Sequence, residues 1–375
     1  MALTKYRLGE LLERNAECNE SLTYGATNVR GVLNTKGISS TKVSVDDRDL
    51  SKFIVVRPGG FIFNHRVHDK LGLGYNTSSD VYIFTNDYVS FYVKPDIIGK
   101  ILIPDYLYIW FLRPEFDRYM LFKTYGSATL FFNWDNMCEL EIELPSVAVQ
   151  QKYADIYNAM VANQQNYERG LEDLKLVCDG YIEDLRKKTP CERIGPYIRP
   201  CNESNDDNSI TLFQGVNVDH VFTDPKRVAE DSEKGSVVRS GQFAFNKVMK
   251  AHNTKLPIAL REGPDCVVSN SYQVFEVINT KKLLPKYLLL WMNRAETQRY
   301  AGFISFGTTR DIFSFNDLCE IAIPLPKEET QRSIVEVFEV YQMRSKINNQ
   351  LKKHIKDICP ILIKGSIEEG RKNGY

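Results

Sequence analysis

Residues 55–64 read VVRPGGFIFN and residues 237–246 read VVRSGQFAFN, so a ten-residue stretch recurs at an offset of 182 residues. The repeat continues downstream at offsets of 181, 181 and 180 in three further pairs: IPDYLYIWFLRPEFDRYM from Ile103 with LPKYLLLWMNRAETQRYA from Leu284, YGSATLFFNWDNMCELEIELP from Tyr125 with FGTTRDIFSFNDLCEIAIPLP from Phe306, and Gln151-Lys152 with Gln331-Arg332. Chance does not keep one register over so long a stretch, so the chain contains two copies of one unit. The copies begin near Arg7-Leu8-Gly9 and Arg193-Ile194-Gly195.

Composition places the chain among soluble globular proteins. It has 375 residues, of which 43% are hydrophobic and 26% charged, enough for two or more domains. No apolar run approaches the roughly 20 residues of a membrane-spanning helix, so we expect a cytoplasmic protein with no membrane partner. The eight cysteines show no paired CxxC spacing and are expected to be reduced packing residues.

Each copy has two parts with different periodicities. Residues 1–146 and 190–326 are rich in short β-type runs with Gly, Pro, Asn and Asp between them. One helix is predicted inside each, near residues 104–121 and 285–301. Residues 147–189 and 327–375 change to helical spacing, which predicts a long helix after each mixed α/β domain. Pro360 is expected to end or kink the second long helix.

Each long helix carries residues on a 4-3 spacing typical of a coiled-coil seam. The predicted seam residues are Ile156, Met160, Asn163, Tyr167, Leu174, Val177 and Tyr181 in the first helix, and Ile334, Val337, Tyr341, Asn348, Leu351, Ile355 and Ile358 in the second. A helix of about 40 residues runs roughly 60 Å, too long to be covered by one domain, so pairing of the two helices is favoured over each lying on its own domain. Asn163 and Asn348 are expected to fix the register.

The predicted fold class is therefore α/β (α+β). Two tandem mixed domains are separated and joined by two long helices, which form an antiparallel coiled coil with approximate two-fold symmetry. In this arrangement the domains lie at opposite ends of a rod.

The sequence lacks the motifs of the common catalytic sites. There is no GxGxxG after a strand, no GxxxxGK[ST] loop, no GxSxG elbow and no HExxH helix, and the chain has no Pro-Pro. His65 and His68 have a spacing seen in metal sites, but no second ligand cluster accompanies them, so no metal site is predicted.

Polar and basic side chains follow the repeated strand in both copies, and a second pair of loops offers Gly, hydroxyls and a cation. Such side chains distinguish base edges in the major groove or contact phosphates. The alternative is that these are ordinary solvated loops. The candidate DNA-binding residues are Asn64, His65, Arg66, His68, Lys70, Lys123, Ser127 and Thr129 in the first copy, and Asn246, Lys247, Lys250, His252, Lys255, Thr308, Thr309 and Arg310 in the second.

Charge argues against strong unaided DNA binding. The chain has 48 Lys plus Arg and 48 Asp plus Glu. The first mixed domain carries 16 basic and 18 acidic residues, and the second carries 16 of each. A protein that binds DNA alone neutralises several phosphates with a cationic face. Because this chain has no net positive charge, companion subunits are expected to supply the positive electrostatic field.

The order of the motifs resembles the specificity subunits of Type I restriction-modification systems, over essentially the whole chain. Each copy has an R-L/I-G start, a V-x-x-G-x-F-x-F strand (residues 56–63 and 238–245), an aromatic-G-S/T loop, an I-x-L-P step and a Gln-led helix. Many relatives have an acidic residue where Gly60 and Gln242 stand here.

The resemblance implies a non-catalytic DNA-recognition subunit. Residues 1–146 and 190–326 would be target-recognition domains that each read one half of a split target, and residues 147–189 and 327–375 would be helices that fix the spacer. Two readers on one face of a duplex must sit about one turn, roughly 34 Å, apart or a multiple of it. The partners would be double-stranded DNA, two modification subunits and two restriction subunits. S-adenosylmethionine, ATP and Mg²⁺ are expected on those partners and no cofactor on this chain.

Two other classes of function remain open. The chain could be a two-headed protein-binding scaffold whose polar loops contact proteins, or an enzyme such as a nuclease fused to a recognition fold. Co-purification with a methyltransferase subunit and a sequence-selective DNA footprint distinguish the first alternative, and DNA cleavage or methylation by the purified chain alone distinguishes the second.

Overall fold

The computed structural model describes residues 3–41, 45, 47–126, 130–225, 235–249, 255–306 and 311–372. The chain divides into two compact units, Met1–Tyr167 with Asn348–Tyr375 and Glu168–Ile347. Each unit contains one mixed domain together with about half of each long helix.

The first mixed domain contains twelve described strands and four helices. They are β1 Thr4–Arg7, α1 Leu8–Leu11, β2 Leu12–Asn15, β3 Arg30–Val32, β4 Ile38–Ser40, β5 Ile54–Val56, β6 Phe61–Asn64, β7 Arg66–Val67, β8 Leu73–Tyr75, β9 Tyr82–Phe84, β10 Tyr88–Val93, α2 Pro104–Phe111, α3 Pro114–Lys123, β11 Leu130–Phe131, α4 Trp134–Cys138 and β12 Glu141–Leu144. The long helix α5, Val147–Lys188, follows.

The repeated strand β6 lies inside an antiparallel sheet of order β2-β10-β6-β8. Because side chains alternate along a strand, Phe61 and Phe63 point into the main core while Ile62 joins a smaller cluster on the other face. The Phe61 ring stacks on Phe91 with centroids 5.1 Å apart and meets Phe111 of α2 edge-on. The motif that defines the repeat therefore forms the centre of the domain.

The second mixed domain repeats this arrangement. Its elements are β13 Cys191–Arg193, β14 Ile198–Cys201, β15 Gly215–Val216, β16 Phe222–Thr223, β17 Ser236–Val238, β18 Phe243–Asn246, β19 Val248–Met249, β20 Ile258–Leu260, β21 Cys266–Val268, β22 Tyr272–Val277, α6 Pro285–Met292, α7 Ala295–Ile304, β23 Asp311–Ile312, α8 Phe315–Cys319, β24 Ala322–Pro324 and the long helix α9, Glu328–Lys372. The sheet order is β14-β22-β18-β20, with Phe243 stacked on Phe275 at 4.8 Å.

The glycine of each R-L/I-G start is required by a close contact. A Cβ added at Gly9 would lie 2.9 Å from Cys138 Cβ, and one at Gly195 would lie 3.0 Å from Cys319 Cβ. The start of each copy therefore packs directly on the short helix α4 or α8.

The single helix predicted inside each mixed domain is wrong, because each is two helices. Pro114 begins α3 after a break at residues 112–113, since proline removes an intrahelical donor and clashes with the preceding turn. In the second copy the break falls at Asn293 and Arg294 without a proline.

Within each unit the two long-helix segments run antiparallel. In the first unit, Lys152 pairs with Glu369 at 2.8 Å, and Gln164 Nε2 donates to Asn348 Oδ1 at 2.9 Å. In the second unit, α5 and α9 both join the core, through Ile182 and Leu185 on one side and Ile334 and Val335 on the other. The expected fold class, two mixed domains with two long paired helices, is confirmed by this architecture and by one solved structure described below.

The predicted seam of α5 is wrong at three positions. Ile156 is 40% exposed and Val177 61% exposed, and Asn163 is exposed as well. The buried stripe instead includes Ala154, Tyr157, Gln164, Cys178, Ile182 and Leu185. Tyr157 packs in the core of the first mixed domain, so contact with that domain, and not with α9 alone, sets which face of α5 is buried. Met160, Tyr167, Leu174 and Tyr181 are half-buried.

The predicted residues of α9 are buried to different degrees. Ile334 and Asn348 are buried, and Val337, Tyr341, Leu351, Ile355 and Ile358 are half-buried. Of the expectation that Pro360 ends or kinks this helix, only the first part is wrong, because α9 continues to Lys372 with Pro360 inside it. Near Pro360, the side chains of Cys359, Leu362 and Ile363 are buried in the core of the first unit. This packing offsets the cost of the backbone hydrogen bond that a proline inside a helix cannot donate.

Candidate nucleic-acid interface

In each unit the structure brings parts of the two predicted loops together in one short antiparallel ribbon. We call residues 64–67 with 130–132 the first ribbon, and residues 246–249 with 311–313 the second ribbon. In the first, Arg66 lies opposite Phe131 and Val67 opposite Leu130. In the second, Val248 lies opposite Ile312 and Met249 opposite Asp311.

The two ribbons have the same backbone connections. The Phe132 amide donates to the His65 carbonyl at 2.9 Å, and the Phe313 amide donates to the Lys247 carbonyl at 2.9 Å. Both phenylalanines are fully buried, which ties each ribbon to its domain core. The repeat therefore preserves the geometry of this surface.

Asn64 and Asn246 shape the turn at the start of each ribbon. The Oδ1 of each accepts a hydrogen bond at 3.0 Å from the amide two residues on, in Arg66 and Val248. This side-chain turn explains why both copies keep asparagine after the strand.

The other side chains at matched positions differ. His65 corresponds to Lys247, Arg66 to Val248, Leu130 to Asp311, and Phe131 to Ile312, while Val67 and Met249 are buried in both. One backbone frame thus presents two different sets of donors, acceptors and apolar groups.

Arg66 of the first ribbon and Lys123, which lies outside it, have acidic partners, and His65 is bonded to a backbone carbonyl. Arg66 Nη2 lies 3.2 Å from Asp87 Oδ2, and His65 Nδ1 lies 2.5 Å from the Asp87 carbonyl, with the His65 ring stacked on Phe131 at 5.5 Å. Lys123 Nζ donates to Glu139 at 3.2 Å, and this hydrogen bond raises the pKa of Lys123. The local field of the ribbon is consequently weak, in agreement with the neutral charge of the chain.

Not every candidate residue falls on the described ribbons. His68, Lys70 and Lys255 lie outside the ribbons and are exposed, whereas Lys247 lies in the second ribbon and is half-buried. Seven candidates lie outside the described residues: Ser127, Thr129, Lys250, His252, Thr308, Thr309 and Arg310.

Exposed aromatic side chains beside both ribbons were missed. Phe122 and Tyr125 are exposed in the first unit, and Phe303 and Phe306 in the second. Both pairs are related by one offset of 181 residues, so the repeat alignment contained a signal for them.

The departure at Gly60 and Gln242 has a structural explanation. A Cβ at Gly60 would lie 2.8 Å from the Tyr92 ring, whose hydroxyl accepts from the Arg57 amide at 2.8 Å. In the second unit the side chain of Gln242 accepts from the matching Arg239 amide at 2.8 Å. The same backbone donor is satisfied by different residues in the two copies.

Across the part of the chain that the structure describes, no group of three or more His, Cys, Asp or Glu side chains is placed to hold a metal ion. No helix among the described residues combines the length and apolar character that crossing a membrane requires.

Residues 250–357 match the family described as the Type I restriction modification DNA specificity domain. The predicted resemblance is confirmed. A search of curated proteins finds no match.

One solved structure of a Type I restriction-modification S subunit is similar in fold to this chain. The S subunit from M. genitalium has a TM-score of 0.58 at 11% identity, with 98% of this chain and 96% of that chain covered. The HsdS subunit from Thermoanaerobacter tengcongensis has a TM-score of 0.39 at 15% identity, with 98% and 96% covered. A structure described as the basis of complex assembly and conformational transition of the type I R-M system has a TM-score of 0.48 at 16% identity, with 97% and 98% covered.

Proposed function

We propose that this chain is the non-catalytic DNA-recognition subunit of a Type I restriction-modification complex. Residues 1–146 and 190–326 each read one half of a bipartite target from the major groove. The helices in residues 147–189 and 327–375 set the unspecified spacer and dock the modification subunits.

One observation carries the proposal: two ribbons with the same backbone present different side chains. Base edges in the major groove differ in their donors, acceptors and methyl groups. His65 and Arg66 in one ribbon, against Lys247 and Val248 in the other, supply different complements to those edges. Two ribbons with the same backbone geometry and different side chains are suited to recognise two half-sites of different sequence.

The partners are double-stranded DNA, two modification subunits and two restriction subunits. The weak local field supports this division, because phosphate neutralisation by companion subunits would supply the missing affinity. S-adenosylmethionine, ATP and Mg²⁺ bind to those subunits, and catalysis takes place there.

The long helices offer a surface for the modification subunits. In the second unit Leu176 and Val177 of α5, and Val340, Met343 and Ile347 of α9, are exposed. Apolar side chains exposed together mark protein-binding surfaces. Their position on the paired helices supports docking at the helices themselves.

The test is a domain exchange read by methylome sequencing. Replacing residues 1–146 by the matching domain of a relative is expected to change one half of the methylated sequence and leave the other half and the spacer unchanged. The reciprocal exchange of residues 190–326 is expected to change only the other half.

A sharper arm uses the ribbons themselves. Converting the first ribbon to the chemistry of the second, with His65→Lys and Arg66→Val, is expected to alter the first half-site only, and Ile98→Ala, at an exposed residue outside the ribbons and the long helices, serves as the control. Methylated motifs that stay the same in both domain exchanges would refute the proposal.

A further inference from the structure

Each unit exposes two aromatic side chains where the burial of such residues is normally favoured. Phe122 is 83% and Tyr125 56% exposed, and Phe303 is 85% and Phe306 83% exposed. A single exposed apolar residue needs no explanation, but a pair at the same place in both copies indicates a contact surface.

The aromatic pairs lie next to the ribbons. Phe122 and Phe303 occupy the last turn of α3 and α7. The Tyr125 amide donates to the Phe131 carbonyl at 3.2 Å, and the Tyr125 carbonyl accepts from the Phe131 amide at 2.8 Å. Phe306 exchanges the same two bonds with Ile312, both at 3.2 Å. The second aromatic residue of each pair is therefore hydrogen-bonded directly to the ribbon that is proposed to read bases.

The aromatic pairs stay aromatic while the ribbons diverge. Phe122 corresponds to Phe303 and Tyr125 to Phe306, whereas His65, Arg66 and Leu130 all have unlike counterparts. Side chains that do not vary between two readers contact something common to both half-sites. The π-faces of stacked bases are such a feature, since every base has one.

The electrostatics favour an apolar contact with DNA. Arg66 and Lys123 are engaged by Asp87 and Glu139, so the first ribbon has little charge left for phosphates. Proteins that bind DNA with few phosphate contacts can gain affinity by inserting apolar side chains between base pairs. In the first unit the His65 ring stacks on Phe131 with centroids 5.5 Å apart, and the Tyr125 ring lies tilted against the same Phe131 ring at 6.0 Å, so the exposed Tyr125 extends an existing aromatic cluster.

We propose that Phe122 with Tyr125, and Phe303 with Phe306, form an aromatic wedge in each unit that stacks against bases of the bound duplex and locally unstacks them. The wedge supplies sequence-independent affinity to each half-site, beside the sequence-dependent contacts of the ribbon. This inference rests on the proposed DNA-recognition function and adds a contact that reads no sequence.

The test uses the full chain assembled with its modification subunits and a duplex carrying the methylated target, with 2-aminopurine placed near one half-site. Phe122→Ala with Tyr125→Ala, and separately Phe303→Ala with Phe306→Ala, are expected to weaken binding about tenfold each, as loss of base stacking does. The fluorescence of 2-aminopurine rises when the base is unstacked. With the probe near the first half-site in one duplex and near the second in another, this rise is expected to disappear only at the half-site whose wedge was removed.

Two further variants separate stacking from loss of apolar surface. Phe303→Tyr with Phe306→Tyr keeps the rings and is expected to retain affinity within about twofold, since stacking needs only the π-face. Ile278→Ala removes an exposed apolar side chain just beyond the opposite end of β22 from the second ribbon, and it is expected to leave binding and fluorescence unchanged.

Three results would overturn the inference. Alanine variants that bind and unstack DNA like the parent would show that the wedge makes no base contact. Loss of co-purification with the modification subunit, with DNA affinity restored at saturating subunit, would assign the surface to protein docking. If the unmodified assembly itself binds DNA without selectivity, the proposed function fails together with the wedge.

Discussion

At the scale of single residues, one buried glutamine in each copy connects a long helix to its domain. Gln150 Oε1 accepts from the Ile103 amide at 3.0 Å, and its Nε2 donates to the carbonyls of Ile101 and Pro145. Gln331 makes the same three bonds to Leu284, Lys282 and Pro326. Both glutamines are fully buried, so they fix where the helix leaves the domain.

Adjacent glutamines allow a matched test of this role. Gln150→Ala leaves a buried amide and two carbonyls without their partner and is expected to destabilise the protein by about 2–4 kcal/mol, because unpaired buried polar groups cost about 1–3 kcal/mol each. Gln151→Ala, one residue on, removes an exposed side chain whose Nε2 donates to Asp155, and it is expected to change stability by less than about 0.5 kcal/mol. Denaturant unfolding of the two variants makes the comparison, and equal losses would contradict the assigned role.

The sequence alone aligned Gln331 with Gln151, one residue away from the structural equivalent. The alignment could not separate two neighbouring glutamines, because the distinction depends on amides near residues 101–103 that lie far away in the sequence. The same limit applies to Gly60 and Gln242. In the first copy the Arg57 amide donates to the Tyr92 hydroxyl, and in the second the matching Arg239 amide donates to the side-chain oxygen of Gln242.

At the scale of elements, helical periodicity predicted both long helices but placed the buried face of α5 wrongly at three residues. A 4-3 spacing describes a helix that meets one partner helix. The first half of α5 also packs on its own domain through Ala154 and Tyr157, which broadens and rotates the buried stripe. That second contact is tertiary and has no signature in the spacing.

Asn348 tests what the buried polar contact of the helix pair contributes. Asn348→Ala removes the acceptor of the Gln164 amide in a buried site and is expected to destabilise the protein by about 1–3 kcal/mol. Asn349→Ala, on the exposed side of the same turn, is expected to be neutral or slightly stabilising, since alanine is the better helix former. The free energies of unfolding from denaturant titration provide the measurement. A loss at residue 349 as large as that at 348 would be inconsistent with a buried contact.

At the scale of the whole chain, the internal repeat predicted the two domains. The shared motif VVRxGxFxFN places its two phenylalanines in the core of the domain in both copies. The candidate site was predictable only as a pair of loops. Whether a cation such as Arg66 or Lys123 is available to a ligand depends on Asp87 and Glu139, which the loop sequences do not contain. The backbone of the ribbons could therefore be predicted from the repeat, whereas the ion pairs of these side chains could be seen only in the folded structure.

The spacer role of the helices can be tested by lengthening both together. Inserting seven residues after Tyr167 in α5 and seven after Ile347 in α9 keeps the phase of both buried faces, since seven residues are close to two turns. Each helix gains about 10 Å at 1.5 Å per residue. At 3.4 Å per base pair this corresponds to about three base pairs, so the methylated target is expected to keep both half-sites with a spacer about three base pairs longer.

The phase of the insertion is the control in that experiment. Matched insertions of two residues at the same positions rotate the buried face of each helix by more than half a turn between the two sides of the insertion, and they are expected to lower stability because the buried stripe of each helix is no longer continuous. Methylome sequencing reports the spacer and thermal unfolding reports the phase effect. An unchanged spacer in a stable seven-residue variant would mean that the distance between half-sites is set outside the helices, whereas a changed half-site sequence would mean that the domains themselves had been disturbed.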